Sequence, residues 1–147
     1  MRLLLDTDST INIVRAYQRD EIVIGSQRLR SACIVSPSQL ITDWAVDSLA
    51  NMTLEQLAPV LALAPRILLL GAVDRARLPG ALRRDLESRG VAVESMELGA
   101  ACRTYNVLAQ ERREVVAGFL PVGSPPEEDT GRKDQSTNQL PEADRIE

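Results

Sequence analysis

Ile67-Leu68-Leu69-Leu70 is a continuous apolar run that stops at Gly71. It has no polar side, so it reads as a β-strand buried on both faces. Such a strand needs a covering layer above and below it, and the neighbouring sequence offers helices. Upstream, Thr53-Leu54-Glu55-Gln56 fits a capping box, in which the Thr hydroxyl and the Gln amide satisfy the first free N–H groups. Leu54, Leu57, Ala58 and Leu61 then recur at helical spacing. Pro59 would cost about 3 kcal/mol deep inside a helix, which predicts either a kink there or a helix that begins near it. Downstream, Pro79 suits a first helical turn. Leu82 and Leu86 form the inner stripe of that helix, and Arg83, Arg84, Asp85, Glu87 and Arg89 its wet face. Gly90 is placed to end it in a left-handed conformation. Val91-Ala92-Val93-Glu94-Ser95-Met96 reads as the next strand, Thr104 to Glu111 as a further helix, and Glu114 to Leu120 as a last strand ending at Pro121. Strands joined through helices tend to be parallel. The prediction is an α/β fold with a central mixed, mostly parallel sheet flanked by helices.

The N-terminal third has a different rhythm. Residues 1–10 lack a clear period and read as a lead-in. From Ile11 the pattern is strand-like, and Glu21-Ile22-Val23-Ile24 resumes it after Arg19-Asp20. Leu29 to Val35 alternates, with Leu29, Ser31 and Cys33 opposite Arg30, Ala32 and Ile34. Ser36-Pro37-Ser38 turns the chain, and Gln39 to Thr42 is a short strand before Trp44, which is read as a core residue. Four short strands with turn residues between them read as antiparallel β-hairpins. They are expected to form a layer packed to one side of the sheet, within a single domain over residues 11–121.

The formal net charge of −4 is unevenly placed. Seven acids and three bases follow Pro121, which leaves residues 1–121 with fourteen of each sign. A balanced domain has no electrostatic footprint for nucleic acid, and none is expected as a partner. Residues 122–147 are rich in Pro, Gly, Ser, Thr, Gln and acids, with almost nothing to bury. Such a segment cannot offset its ordering entropy and reads as a disordered acidic tail. The chain has no histidine, which removes a Ser-His-Asp triad, a Cys-His pair and the usual zinc ligand sets. No metal and no cofactor are expected. Cys33 and Cys102 form no readable disulfide framework, and reduced thiols suit a cytoplasmic protein. No run approaches the roughly 18 apolar residues of a membrane helix, so membrane insertion is not expected.

In an open parallel sheet, ligands bind outside the carboxyl ends of the strands. Two strand ends qualify. One is Gly71-Ala72-Val73. The other leads into Gly99-Ala100-Ala101-Cys102-Arg103-Thr104-Tyr105-Asn106-Val107-Leu108, which gathers a thiol, a guanidinium, a hydroxyl, a phenol and an amide in adjacent positions. Gly71 lets backbone approach closely. A helix opening near Thr104 aims free N–H groups at the same space, and Arg103 adds a forked cation suited to carboxylate or phosphate. Gly71, Cys102, Arg103, Thr104 and Asn106 are therefore candidate ligand-binding residues. Each also has a structural reading. Arg103 can pair with Glu94 or Glu97, Thr104 can cap a helix, and Asn106 can bond local backbone in a first turn. Tyr105 can pack its ring with the hydroxyl at the rim, and Cys102 can fill space. A helix start and Arg103 beside Cys102 both lower a thiol's pKa. With no histidine there is no ordinary base to assist it, and no catalytic residue is assigned. Glu94 interrupts an apolar strand, either as a buried carboxylate with a raised pKa or at an edge in water.

The stretch from Gly99 to Leu108, preceded by Val93-Glu94-Ser95-Met96 and by Ile67 to Gly71, resembles the small domain family that includes mitochondrial complex I assembly factor 3. The resemblance covers about residues 11–121, with Trp44 and the Pro79 helix that ends in Arg89-Gly90. It implies a three-layer α/β fold with a small β-rich layer beside the central sheet. It implies no established enzyme activity, and a mitochondrial member that acts by protein–protein contact during assembly of the respiratory NADH dehydrogenase. Relatives tend to read Gly-Thr-Gly where this chain reads Gly71-Ala72-Val73, a poorer anion cradle. The expected function is that of a non-enzymatic accessory or assembly factor working through protein partners. The alternative is a small-molecule or anion-binding domain that uses the loops at Gly71 and Cys102–Asn106.

Overall fold

The computed structural model describes residues 11–74 and 76–122. The lead-in and the acidic tail beyond Val122 lie outside the described residues. In chain order the elements are β1 (Val14–Gln18), β2 (Glu21–Ile24), β3 (Gln27–Leu29), β4 (Cys33–Val35), β5 (Leu40–Ile41), α1 (Ala58–Leu61), β6 (Ile67–Ala72), α2 (Gly80–Ser88), β7 (Ala92–Glu97), α3 (Leu98–Gln110) and β8 (Val115–Leu120).

β6 lies inside a five-stranded sheet of order β5-β4-β8-β6-β7. It runs parallel to β7, from Ile67 opposite Ala92 to Ala72 opposite Glu97, and parallel to β8, from Ile67 opposite Val115 to Ala72 opposite Leu120. β4 is antiparallel to both β8 and β5. The sheet is mixed, and successive side chains of its strands enter opposite cores. Leu68 and Leu70 join Trp44, Leu57, Leu82 and Leu86 on one face. Leu69 joins Leu98, Tyr105 and Phe119 on the other.

The helices on the first face follow their sequence signals. The N–H of Thr53 donates to Gln56 Oε1 at 3.0 Å, and the N–H of Gln56 to Thr53 Oγ1 at 3.2 Å, closing the capping box. Pro59 stands in the first turn of α1, so the helix begins beside it and does not kink. α2 follows Pro79, buries Leu82 and Leu86, and ends before Gly90, which holds φ +84°. Trp44 donates from Nε1 to the Gln56 carbonyl at 2.8 Å and lies against Gly118 of β8, where an added Cβ would sit 2.7 Å from its ring. Glu94 is exposed on β7, an edge strand.

The N-terminal strands divide between two sheets instead of forming one hairpin layer. β1, β2 and β3 make a separate antiparallel sheet. β4 and β5 join the central sheet, and the expected single strand from Leu29 to Val35 breaks between β3 and β4. Burial explains the break. β3 is largely exposed, whereas Cys33, Ile34 and Val35 are all buried, and three consecutive buried residues need cover on both faces. Among the described residues, no helix is long and apolar enough to cross a membrane.

Candidate functional site

The polar stretch lies within α3, not at its start. β7 passes into α3 without a loop. Glu97 is still extended, with ψ 150°, and its carboxylate accepts the Ala100 N–H at 3.2 Å as the N-cap. The helix thus opens at Leu98, well before the predicted Thr104. Gly99-Ala100-Ala101 reads as a loop by size, yet alanine is the best helix former. Tertiary contact also demands small residues here. A Cβ on Gly71 would fall 2.5 Å from the Ala101 Cβ, and one on Gly99 would fall 2.8 Å from the Tyr17 ring. Gly71 is therefore the place where α3 sits down on β6.

This placement changes the chemistry of each residue around it. Cys102 faces the sheet with 0% of its surface exposed. Burial pushes its thiol up to about 12, with the nearby Cys33 and Glu97 adding to the rise and Arg103 opposing it. The activating features read from the sequence are thus outweighed by loss of water. Cys33 is also buried and likewise pushed up to about 12. Thr104 is half-buried in mid-helix and caps nothing. Tyr105 is fully buried, not at the rim. Its ring meets Phe119 edge-on, with centroids 6.1 Å apart, and burial raises its phenol above the ordinary range.

The polar groups point at one distant segment. Tyr105 donates from its hydroxyl to the Asn12 carbonyl at 2.8 Å. Asn106 donates from Nδ2 to the Val14 carbonyl at 2.9 Å and accepts the Val14 N–H on Oδ1 at 2.9 Å. One side-chain amide thus makes the donor–acceptor pair that a neighbouring strand would make, where the register of β1 on β2 shifts between Val14 and Ala16. Arg103 donates from Nη1 to the Tyr17 hydroxyl at 2.5 Å, and its guanidinium carbon lies 6.0 Å from the Tyr17 ring centre. The segment is itself tied down, because Asn12 donates from Nδ2 to the carbonyls of Ser36 and Gln39, each at 2.9 Å. Asn12, Val14 and Tyr17 are the partners that sequence reasoning misses. They stand about ninety positions from the stretch, and no local pattern marks them.

Of the five candidate ligand residues, Gly71 and Cys102 are thus covered within the α3–sheet contact, and the Asn106 amide is engaged by β1. Arg103 is exposed, and Thr104 lies one position further along the helix. Arg103 also shares a helix face with Val107, one turn on, which is 53% exposed; Tyr17 beside Arg103 is 37% exposed. The arrangement offers an aromatic ring, a forked cation and an aliphatic side chain on one outer surface.

This two-sheet architecture, with a helix buttoned between the sheets, is the Mth938-like fold. A Bordetella pertussis protein described as a Mth938-like domain superposes with a TM-score of 0.67 at 32% identity, over 79% of this chain and 89% of that one. The crystal structure of a Bordetella parapertussis protein gives 0.70 at 36% identity, over 76% of this chain and 97% of that one. Residues 14–120 match the family described as "Protein of unknown function (DUF498/DUF598)", and the chain belongs to that family. A Xenopus tropicalis relative, NADH dehydrogenase [ubiquinone] 1 alpha subcomplex assembly factor 3, is 32% identical over 121 residues; these cover 80% of this chain and 66% of the relative.

Proposed function

We propose that this protein is a non-enzymatic accessory or assembly factor that works through protein contacts in the cytoplasm. The observation that carries the reading is the exposed surface made by Tyr17, Arg103 and Val107 across the junction of β1 and α3. Tyrosine and arginine are over-represented among residues that dominate binding energy, and here each holds the other in place. The relatives named as assembly factors support the same reading, as does a buried thiol held well above neutral pH. The test is crosslinking and affinity capture from the native host with the wild-type chain and with Val107→Asp. The expected result is a stoichiometric partner lost with Val107→Asp. A partner retained in full by that variant, or none with the wild type, would overturn the reading.

The alternative, an anion-binding domain, would have to work from the surface through Arg103 and Thr104. It predicts that phosphates or carboxylates raise the melting temperature of the wild type but not of Arg103→Ala.

A further inference from the structure

A cavity of about 600 Å³ opens where the parallel strands β6 and β8 end side by side. Its volume is in the range of small-molecule sites. The chain leaves β6 for α2 and then β7, on the side away from β8. A crevice is left outside the two carboxyl ends, which is where ligands bind in open parallel sheets. The floor is apolar, because Ala32, Leu49, Ala72 and Leu120 line the cavity and are all buried. The lining also carries charges of both signs, and these come from different elements. Arg19 stands in the turn between β1 and β2, with Arg30 nearby on the same lining, whereas Asp47 and Asp74 follow β5 and β6.

Two of these charges are already engaged. Glu21 meets Arg30 at 3.5 Å, and Asp74 accepts the Ala76 N–H on Oδ1 at 3.2 Å. Arg19 and Asp47 are exposed, and among the described residues neither side chain has a hydrogen-bond or ion-pair partner. They do not pair with each other, so the cavity holds a cation and an anion apart. Both are fixed at the backbone. The Arg19 carbonyl accepts the Val122 N–H at 2.8 Å, which pins its turn over the end of β8. The Trp44 N–H donates to the Ala32 carbonyl at 3.0 Å and Leu49 is buried, which anchors the loop carrying Asp47 on either side. A frame of this kind reduces what a ligand loses in ordering the groups that bind it. Opposite charges above an apolar floor suit a molecule that carries both charges and a hydrocarbon part, and a guanidinium fork matches a carboxylate. We propose that this cavity binds a small aliphatic zwitterion, an amine-bearing carboxylic acid of the amino-acid or short-peptide kind. Its carboxylate meets Arg19, its ammonium meets Asp47, and its hydrocarbon part covers Ala32, Leu49, Ala72 and Leu120. The site shares no residue with the Tyr17–Arg103–Val107 surface and stands independently of the proposed function.

Thermal unfolding and amide NMR of the full chain test it, with L-leucine and the dipeptide leucyl-leucine as probes. Isocaproate, which lacks the amine, and isoamylamine, which lacks the carboxylate, are the controls. At about 10 mM, a hundred times a Kd of about 0.1 mM, a bound zwitterion is expected to raise the melting temperature by at least about 5 °C. The amides of Ala32, Ala72 and Leu120 shift with it. A rise with leucine assigns the site to free amino acids, and a rise with the dipeptide alone assigns it to peptides. Neither control produces the rise. Arg19→Gln and Asp47→Asn, exposed changes that leave the floor intact, each abolish it. A chain that ignores both zwitterions would overturn the proposal. So would an equal rise from either control, a rise that survives either substitution, or amide shifts centred elsewhere in the fold.

Discussion

The two faces of the central sheet are covered by different physics. On the α2 face, Leu68, Leu70, Val93 and Val116 meet Leu57, Leu82 and Leu86 in a mainly apolar contact, edged by hydrogen bonds from Trp44 Nε1 to the Gln56 carbonyl and from Arg83 Nη2 to the Val93 carbonyl, each at 2.8 Å. On the α3 face an apolar centre of Leu69, Leu98, Ala101 and Phe119 is rimmed by hydrogen bonds from Tyr105 and Asn106 to the Asn12–Val14 backbone. Apolar burial is non-directional and brings layers together. It says little about where one layer sits on another, because many registers bury similar area. Directional bonds to the backbone of one strand do specify that position. The α3 face joins an independent three-stranded sheet to the core, and its seam of hydrogen bonds runs from α3 to that sheet.

The contrast can be broken most severely at Gly71. Gly71→Ala places a methyl 2.5 Å from the Ala101 Cβ, and overpacking of this kind is expected to cost about 3 kcal/mol, at the upper end of its usual range. Denaturant unfolding of Gly71→Ala, Ala101→Gly and the double variant measures it. The double variant should be more stable than the two single losses add up to, because the second change vacates the space that the first one fills. Asn106→Ala comes next. It leaves the N–H and carbonyl of the buried Val14 without their partner, at a cost of about 2 kcal/mol, measured by the same unfolding. An alkaline titration sharpens the comparison, since Cys33, Cys102 and Tyr105 all lie on the α3 face. Their folded pKa values are raised, so above about pH 9 the unfolded chain releases thiol protons that the folded chain keeps. Stability should therefore fall from pH 9 toward pH 12, by about 1.4 kcal/mol per thiol for each unit well inside that window. A denaturation midpoint unchanged between pH 7 and pH 10.5 would contradict the burial of these groups. Arg103→Ala is the mildest change. Its bond to Tyr17 is exposed, and the expected loss of stability is under about 1 kcal/mol, with little change in melting temperature.

The sequence is most informative where one residue's surroundings follow from its near neighbours. The strand from Ile67, the α2 stripe of Leu82 and Leu86, Gly90 as its terminator and the Thr53–Gln56 box all reappear as read, because each rests on a local period or cap. The start of α3 is misread because the small size of Gly99, Ala100 and Ala101 has a tertiary cause, the close approach to Gly71 and Tyr17. The strand from Leu29 to Val35 is misread because alternation does not reveal that β4 is covered twice. The polar stretch is legible as a set, but its partners at Asn12, Val14 and Tyr17 are not. A side chain that satisfies backbone some ninety residues away leaves no trace in its own vicinity.

The central claim is that Asn106 and its neighbours hold the β1–β3 sheet onto α3. Native-state hydrogen exchange at the Val14 amide, which donates to Asn106, tests it directly when wild type and Asn106→Ala are compared. The expected result is that Val14 and the amides of β1 and β2 lose protection in the variant, while those of β6 and β8 lose only what the global loss of stability requires. A Val14 amide that exchanges at the wild-type rate in Asn106→Ala would contradict the account.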